Sequence, residues 1–221
     1  MSSLSIATLI ASVVSYLICG IPFGLLFASR MNGVDVRKTG SGNIGMTNVA
    51  RSAGGAAAAL TFICDVGKGA LCVLLAKWII AQVCLEGDLS MLAYNSPFGW
   101  VGSTLYLACV LGHIFSPYLH FHGGKGISVG LGAALGMWWP IGVGLLALFL
   151  LLVIPTGFIS LGSVAAAASL PIQAALWGMS PTAIFPVAIV AVVVIWSHRE
   201  NIGRLMRGEE RKFSVRSKGK K

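Results

Sequence analysis

Residues 126–197 contain no Asp, Glu, Lys, Arg or His. Soluble domains average roughly 25% charged residues, so an uncharged run of this length belongs where water is absent. The whole chain follows suit, being 56% hydrophobic and 10% charged over 221 residues. An all-α integral membrane protein is expected, one polytopic domain over 1–221. Residues 1–5 lack the basic start of a signal peptide, and the apolar run over 6–27 is too long for one, so it stays as a helix.

A spanning helix needs about 20 apolar residues. The runs that qualify are 4–28, 54–84 and 102–118, followed by 126–197, which Pro140, Pro155-Thr156-Gly157, Pro171 and Pro181 punctuate. Breaks at Trp139-Pro140, over 155–160 and over 178–181 divide that stretch into four short helices. The total is seven transmembrane helices, or six if Pro140 kinks a helix instead of ending it.

Positive charge sets the orientation. Arg30, Arg37, Lys38 and Arg51 follow the first run and Lys125 follows the third. Arg199, Arg204, Arg207, Arg211, Lys212, Arg216, Lys218, Lys220 and Lys221 crowd the end, whereas the loop after the second run offers only Glu86 and Asp88. Seven spans then place the N-terminus outside and a basic tail, 199–221, in the cytoplasm. Such a tail is a topology signal that touches anionic headgroups, and it gives no reason to invoke nucleic acid.

Three polar, glycine-containing clusters interrupt the apolar runs, at 39–51, 112–126 and 198–210. Polar groups near a bilayer are expensive, so such clusters mark function. Basic side chains, hydroxyls and amides on a glycine-rich backbone suit phosphate. With seven spans all three clusters fall on one membrane face.

Several motif matches fail on context. Gly40-Ser41-Gly42-Asn43-Ile44-Gly45 fits the dinucleotide fingerprint, with Asp65 downstream, yet no strand precedes it. Gly123-Gly124-Lys125-Gly126 lacks the Walker spacing and its Ser/Thr. His120 and His122 do not share a helix face, and five cysteines (Cys19, Cys64, Cys72, Cys84, Cys109) without a CxxC suggest small buried residues. No metal or cofactor is expected. The fifth residues after the four histidines are Tyr118, Lys125, Ile127 and Gly203, which excludes the His-x4-Asp dyad of many glycerolipid acyltransferases. Asp65 and Lys68, three apart, neutralise each other on one helix face.

Side by side, the clusters resemble the three signatures of the bacterial acyl-phosphate:glycerol-3-phosphate acyltransferases, the PlsY family. Ser41-Gly42-Asn43, Gly45, Thr47-Asn48 and Arg51 resemble the first. Gly112-His113, Phe115, Phe121 and Gly123-Gly124-Lys125-Gly126 resemble the second. His198, Asn201-Ile202, Arg204-Leu205, Gly208 and Glu210 resemble the third. Asp65 with Lys68-Gly69 fits a recurrent feature of the second helix.

The resemblance implies transfer of a fatty acyl group from acyl-phosphate to the 1-hydroxyl of glycerol 3-phosphate, giving lysophosphatidic acid and phosphate. It implies a monomer in the bacterial inner membrane with a cytoplasmic active site, linked functionally to an upstream acyl-phosphate synthase. Catalytic roles pass to His198, Asn201 and Ser41. Substrate phosphate is assigned to Ser41, Asn43, Thr47, Asn48, Arg51, Gly123, Gly124, Lys125 and Arg204, with Asp65, Lys68, His113 and Glu210 supporting. The base is His198, whose ordinary pKa suits it, or a substrate phosphate. Residues 70–76 and 129–139 are expected to line an acyl groove.

Taken singly, each feature has a plainer reading: Ser41 a helix cap, Arg51 and Arg204 topology charges, Gly123 to Gly126 a turn. A transporter or flippase for a phosphorylated metabolite or lipid is the rival class. It would suit the small-residue-rich helices and intramembrane Asp65/Lys68, but no internal repeat supports it. A scaffold would not require Lys125 or His198.

Overall fold

The first apolar run does not remain one helix. In the computed structural model, which describes residues 2–213, α1 (Ser3–Gly20) is capped by Ser2 and stops before Pro22, and α2 (Phe23–Asn32) resumes beyond it. Proline lacks an N–H and its ring strikes the carbonyl one turn back, so the single helix expected over 4–28 breaks. Bare carbonyls at membrane depth need partners. Ser116 Oγ donates to Gly20 O at 2.7 Å and Lys68 Nζ to Ile21 O at 2.8 Å.

The remaining helices are α3 (Met46–Ala53), α4 (Gly55–Cys84), α5 (Trp100–Ile114), α6 (Ile127–Met137), α7 (Trp139–Thr156), α8 (Ile159–Leu176), α9 (Pro181–Ser197) and α10 (Arg199–Met206). Among the described residues there is no strand. Trp138, in extended backbone, separates α6 from α7, so Pro140 falls in the first turn of a new helix and does not kink an old one. Gly157, left-handed at φ 76°, closes α7, and Ser180 caps α9 ahead of Pro181. Pro171 is carried inside α8.

Four segments are long and apolar enough to cross a bilayer: Ser3–Asn32, Gly55–Cys84, Trp139–Thr156 and Ile159–Leu176. α9 and α10 pass the same test only when taken together, across a bend of 58°. α5 and α6, at 15 and 11 residues, fall short of a full span by length. Within the basic tail expected over 199–221, residues 199–206 are helical and pack back on the bundle. Arg216, Lys218, Lys220 and Lys221 lie outside the described residues.

The core runs between α1, α4, α5, α6, α8 and α9, with Leu105, Val110, Val129, Ala133 and Leu170 fully or almost fully buried. Lipid supplies no hydrophobic drive between helices, so small residues that admit close backbones do the packing. At the α4–α6 crossing a Cβ on Gly69 would overlap Val129 O, and one on Gly132 would overlap Val66 O. Gly132→Val is therefore expected to cost about 3 kcal/mol. It should lower the unfolding midpoint in lipid well below that of Gly67→Ala, where a Cβ meets open space.

A second, smaller core lies beneath α2, α3 and the first polar loop: Ala28, Val36, Ile44, Val49, Ala57 and Leu119. It seats the 39–51 cluster against the end of the bundle, where the other two clusters also emerge.

Candidate active site

Asn48, 2% exposed on α3, folds the first cluster. Its Oδ1 accepts from Ser41 N at 2.9 Å, and its Nδ2 faces Val36 O, Thr39 O and Asn43 O at 3.0, 3.1 and 2.8 Å. Asn43 Oδ1 in turn accepts from Gly45 N at 2.8 Å. These contacts give Asn48 and Asn43 a loop-shaping part. α3 is capped by Gly45 with no side-chain hydrogen bond, so Ser41 is not its cap. Ser41, Thr47 and Arg51 instead line a cavity.

The second cluster closes over the end of α5. Gly123 N donates to Ile114 O at 2.9 Å and Gly124 N to His113 O at 3.0 Å, satisfying carbonyls that a helix end leaves bare. The two amides expected to cradle phosphate are thus engaged within the protein. Their glycine identity has another cause: a Cβ at 123 would overlap His113 O, and one at 124 the imidazole of His113. The amides left free by helix geometry are those of the first turn of α6, where Gly126 offers no side-chain cap. They lie directly after Lys125, beside Ser128.

Beneath this loop His113 Nδ1 is 3.4 Å from Lys68 Nζ, and Lys68 pairs with Asp65 at 2.7 Å. All three side chains are buried. The expected α4 pair therefore exists, and it reaches the second cluster through His113.

The third cluster supplies a chain of contacts. Lys125 Nζ donates to Asn201 Oδ1, and Asn201 Nδ2 donates to Glu210 Oε1 at 2.7 Å. Glu210 also accepts from Arg204 Nε at 2.8 Å and Ser160 Oγ at 2.9 Å. Burial alone would raise the Glu210 carboxyl, but these three donors outweigh it and hold it below its ordinary value. Burial, reinforced by Arg204, lowers the Lys125 ammonium, and burial, reinforced by Arg211, lowers the Arg51 guanidinium. An arriving anion relieves both.

His198, 3% exposed, joins α9 to α10. Its Nδ1 lies 2.8 Å from Val194 O, and a carbonyl can only accept, so Nδ1 carries the proton and Nε2 keeps a lone pair. Burial is the main cause that pushes the imidazole down to about 4. Between the ordinary value near 6.5 and about 4, the unfolded chain takes up a proton that folded His198 refuses. Stability from this residue is complete above pH 6.5 and falls as pH drops to about 4. Relative to His198→Gln, the wild type is expected to lose about 3 kcal/mol across that window, read from unfolding midpoints in lipid.

The three clusters meet at one cavity of about 1010 Å³. At its mouth stand Ser41, Arg51, Lys125, His198, Asn201, Arg204 and Glu210. The five basic residues that line it (Arg51, Lys125, Arg199, Arg204, Arg211) outweigh Asp65, Glu200 and Glu210, and Asp65 is already neutralised by Lys68. The cavity continues into an apolar limb walled by Leu131, Leu145, Phe149, Leu170 and Val190. Such a shape takes a molecule with an anionic head and an aliphatic tail.

Of the segments expected to form an acyl groove, 129–139 contributes Gly130 and Leu131. Residues 70–76 do not line the cavity: Leu71, Leu74 and Leu75 face outward, and Val73 packs against Gly136. The walls come instead from α7, α8 and α9. Ser160 and Ser163 also escaped the sequence reading, lying in an apolar run with no motif; the only signal was a serine just past the Pro155-Thr156-Gly157 break.

The family model for glycerol-3-phosphate acyltransferase matches residues 9–208. A glycerol-3-phosphate acyltransferase of Geobacter sulfurreducens is 42% identical over 208 residues, covering 94% of this chain and 98% of its own. One from Rubrobacter xylanophilus is 37% identical over 207 residues, covering 94% and 96%. Among solved structures, PlsY (YgiH), an integral membrane glycerol 3-phosphate acyltransferase in its glycerol 3-phosphate form, superposes with a TM-score of 0.80. It is 31% identical, covering 94% of this chain and 96% of its own. The lysophosphatidic acid form gives a TM-score of 0.77 at 29% identity.

Proposed function

The chain belongs to the glycerol-3-phosphate acyltransferase family, and from that premise we propose that it transfers a fatty acyl group from acyl-phosphate to the 1-hydroxyl of glycerol 3-phosphate. The observation that carries this reading is the single cavity with a basic, amide- and hydroxyl-lined mouth and an apolar limb. An acyl-phosphate is a mixed anhydride and needs no covalent enzyme intermediate. The work left to the protein is positioning, charge neutralisation and removal of one proton.

Lys125, Arg51 and Arg204, with the free amides of α6, hold phosphate at the mouth, and Ser41, Asn43, Thr47 and Asn48 complete and shape that wall. Gly123 and Gly124 set the loop's approach to α5. The glycerol 1-hydroxyl oxygen attacks the acyl carbonyl carbon, the bond to the phosphate oxygen breaks, and phosphate leaves. His198 Nε2 accepts the hydroxyl proton, being neutral at ordinary pH. Asn201, bonded to both Lys125 and Glu210, fixes the ammonium against the third cluster. The acyl tail lies in the limb between α6, α7, α8 and α9. No cofactor takes part.

The same reading makes residues 1–221 one domain in the bacterial inner membrane. All seven apolar segments cross or enter the bilayer, the N-terminus is outside and the site faces the cytoplasm. It functions as a monomer fed by an acyl-phosphate synthase.

The test is phosphate release from palmitoyl-phosphate by the purified protein in lipid, with and without glycerol 3-phosphate, the lipid product being checked by mass. Release that needs glycerol 3-phosphate and yields lysophosphatidic acid supports the reading. Folded protein that releases none, or that uses only a thioester donor, overturns it. His198→Gln at near wild-type turnover would move the proton to a substrate phosphate.

A further inference from the structure

Three of the five cysteines, far apart in sequence, meet in the bundle. Cys19 on α1, Cys72 on α4 and Cys109 on α5 place their Sγ atoms within 4.8 Å of one another. Cys19 and Cys109 are 0% exposed and Cys72 9%. None of the three lines the cavity. Where the three helices converge, all three positions carry sulfur. The grouping is also selective, since Cys64 and Cys84 take no part.

Donor set and surroundings narrow what such a site can hold. Three sulfurs within 4.8 Å of one another are a soft, three-coordinate set. Each must lose its proton to bind, and at bilayer depth the charge left over decides the outcome. A monovalent ion on three thiolates leaves two negative charges and a divalent ion leaves one. The nearest cation, Lys68, one turn from Cys72 on α4, is already spent on Asp65 at 2.7 Å. Only a trivalent centre leaves none.

We propose that Cys19, Cys72 and Cys109 form a capture site for a trivalent thiophile, of which arsenite is the simplest. The entering species is the uncharged trihydroxide, which brings no charge to these buried side chains. Three As–S bonds form and three As–O bonds break. The three thiol protons leave with the three hydroxides as water, and no electron is transferred. The product ties α1 to α4 and α5 one turn deeper than Lys68 and His113, since Cys72 is four residues after Lys68 and Cys109 four before His113.

The experiment uses the full chain in lipid, incubated with arsenite and then freed of excess by gel filtration. Intact mass should show one arsenic gained and three hydrogens lost, and the unfolding midpoint should rise. X-ray absorption of arsenic should show three sulfur neighbours and no oxygen, a readout that needs no variant. Cys109→Ala and Cys72→Ala leave two thiols, and retained arsenic should fall at least about tenfold as one intramolecular bond is lost. Cys64→Ala should match wild type. Acyl-transfer activity, independent of these cysteines, reports that each variant has folded. Equal retention in folded Cys109→Ala, oxygen in the arsenic shell of wild type, or equally tight retention of zinc would each overturn the assignment.

Discussion

Lys125→Met is expected to lower kcat/KM for acyl transfer by about 10²–10³-fold, the range seen when one preorganised donor to developing charge is removed. Methionine keeps the length and apolar stem of the side chain and deletes only the ammonium. That ammonium is the group tying the second cluster to the third, through Asn201 and on to Glu210. Its loss removes a charge from the phosphate site and frees Asn201 to turn. The loop itself should persist, because Gly123 and Gly124 remain bonded to the carbonyls of α5. The unfolding midpoint should therefore stay close to wild type while KM for glycerol 3-phosphate rises and kcat falls. Lys125→Arg should not rescue, since a planar fork cannot take the place of a compact ammonium in a half-buried slot. A variant with unchanged kinetics would remove Lys125 from the site.

The sequence made the later helices legible because proline and glycine act locally. Trp138-Trp139-Pro140, Pro155-Thr156-Gly157 and Gly178 to Pro181 end and restart helices through their own backbone restrictions. The same logic missed the break at Pro22. Hydropathy runs straight through it, and the freed carbonyls are satisfied by Ser116 and Lys68, 96 and 47 residues away. Motif reading brought Ser41, Arg51, Lys125, His198 and Arg204 to one place because charged groups between apolar runs stand out. It could not tell which backbone amides were free. Gly123 and Gly124 spend theirs on Ile114 and His113 respectively, and that choice depends on where α5 ends. Ser160 was invisible for the opposite reason: one hydroxyl in an apolar helix carries no pattern until Glu210 folds back onto it. The cysteine cluster needs three helices packed before it exists at all.

Lys68→Ala should be the most destabilising single change in the chain. The side chain is 4% exposed and holds three groups together: Asp65 at 2.7 Å, Ile21 O at 2.8 Å and His113 Nδ1 at 3.4 Å. Removing it leaves a buried carboxylate without its cation and an unsatisfied carbonyl at the break between α1 and α2. Losing one partner of a buried pair costs about 3–5 kcal/mol. In a chain of this size that shifts the unfolding midpoint by on the order of 10 °C. The effect should be asymmetric. Asp65→Asn in the wild-type background leaves Lys68 a carbonyl and an amide oxygen, so its cost should be smaller. Combining it with Lys68→Ala removes both charges and should recover part of the loss, leaving the bare Ile21 carbonyl as the residual penalty. Midpoints of the four proteins in one lipid, taken as a double-mutant cycle, isolate the pair. If Lys68→Ala unfolds with wild type, Lys68 does not hold the α1–α2 break, and the support proposed beneath the His113 loop goes with it.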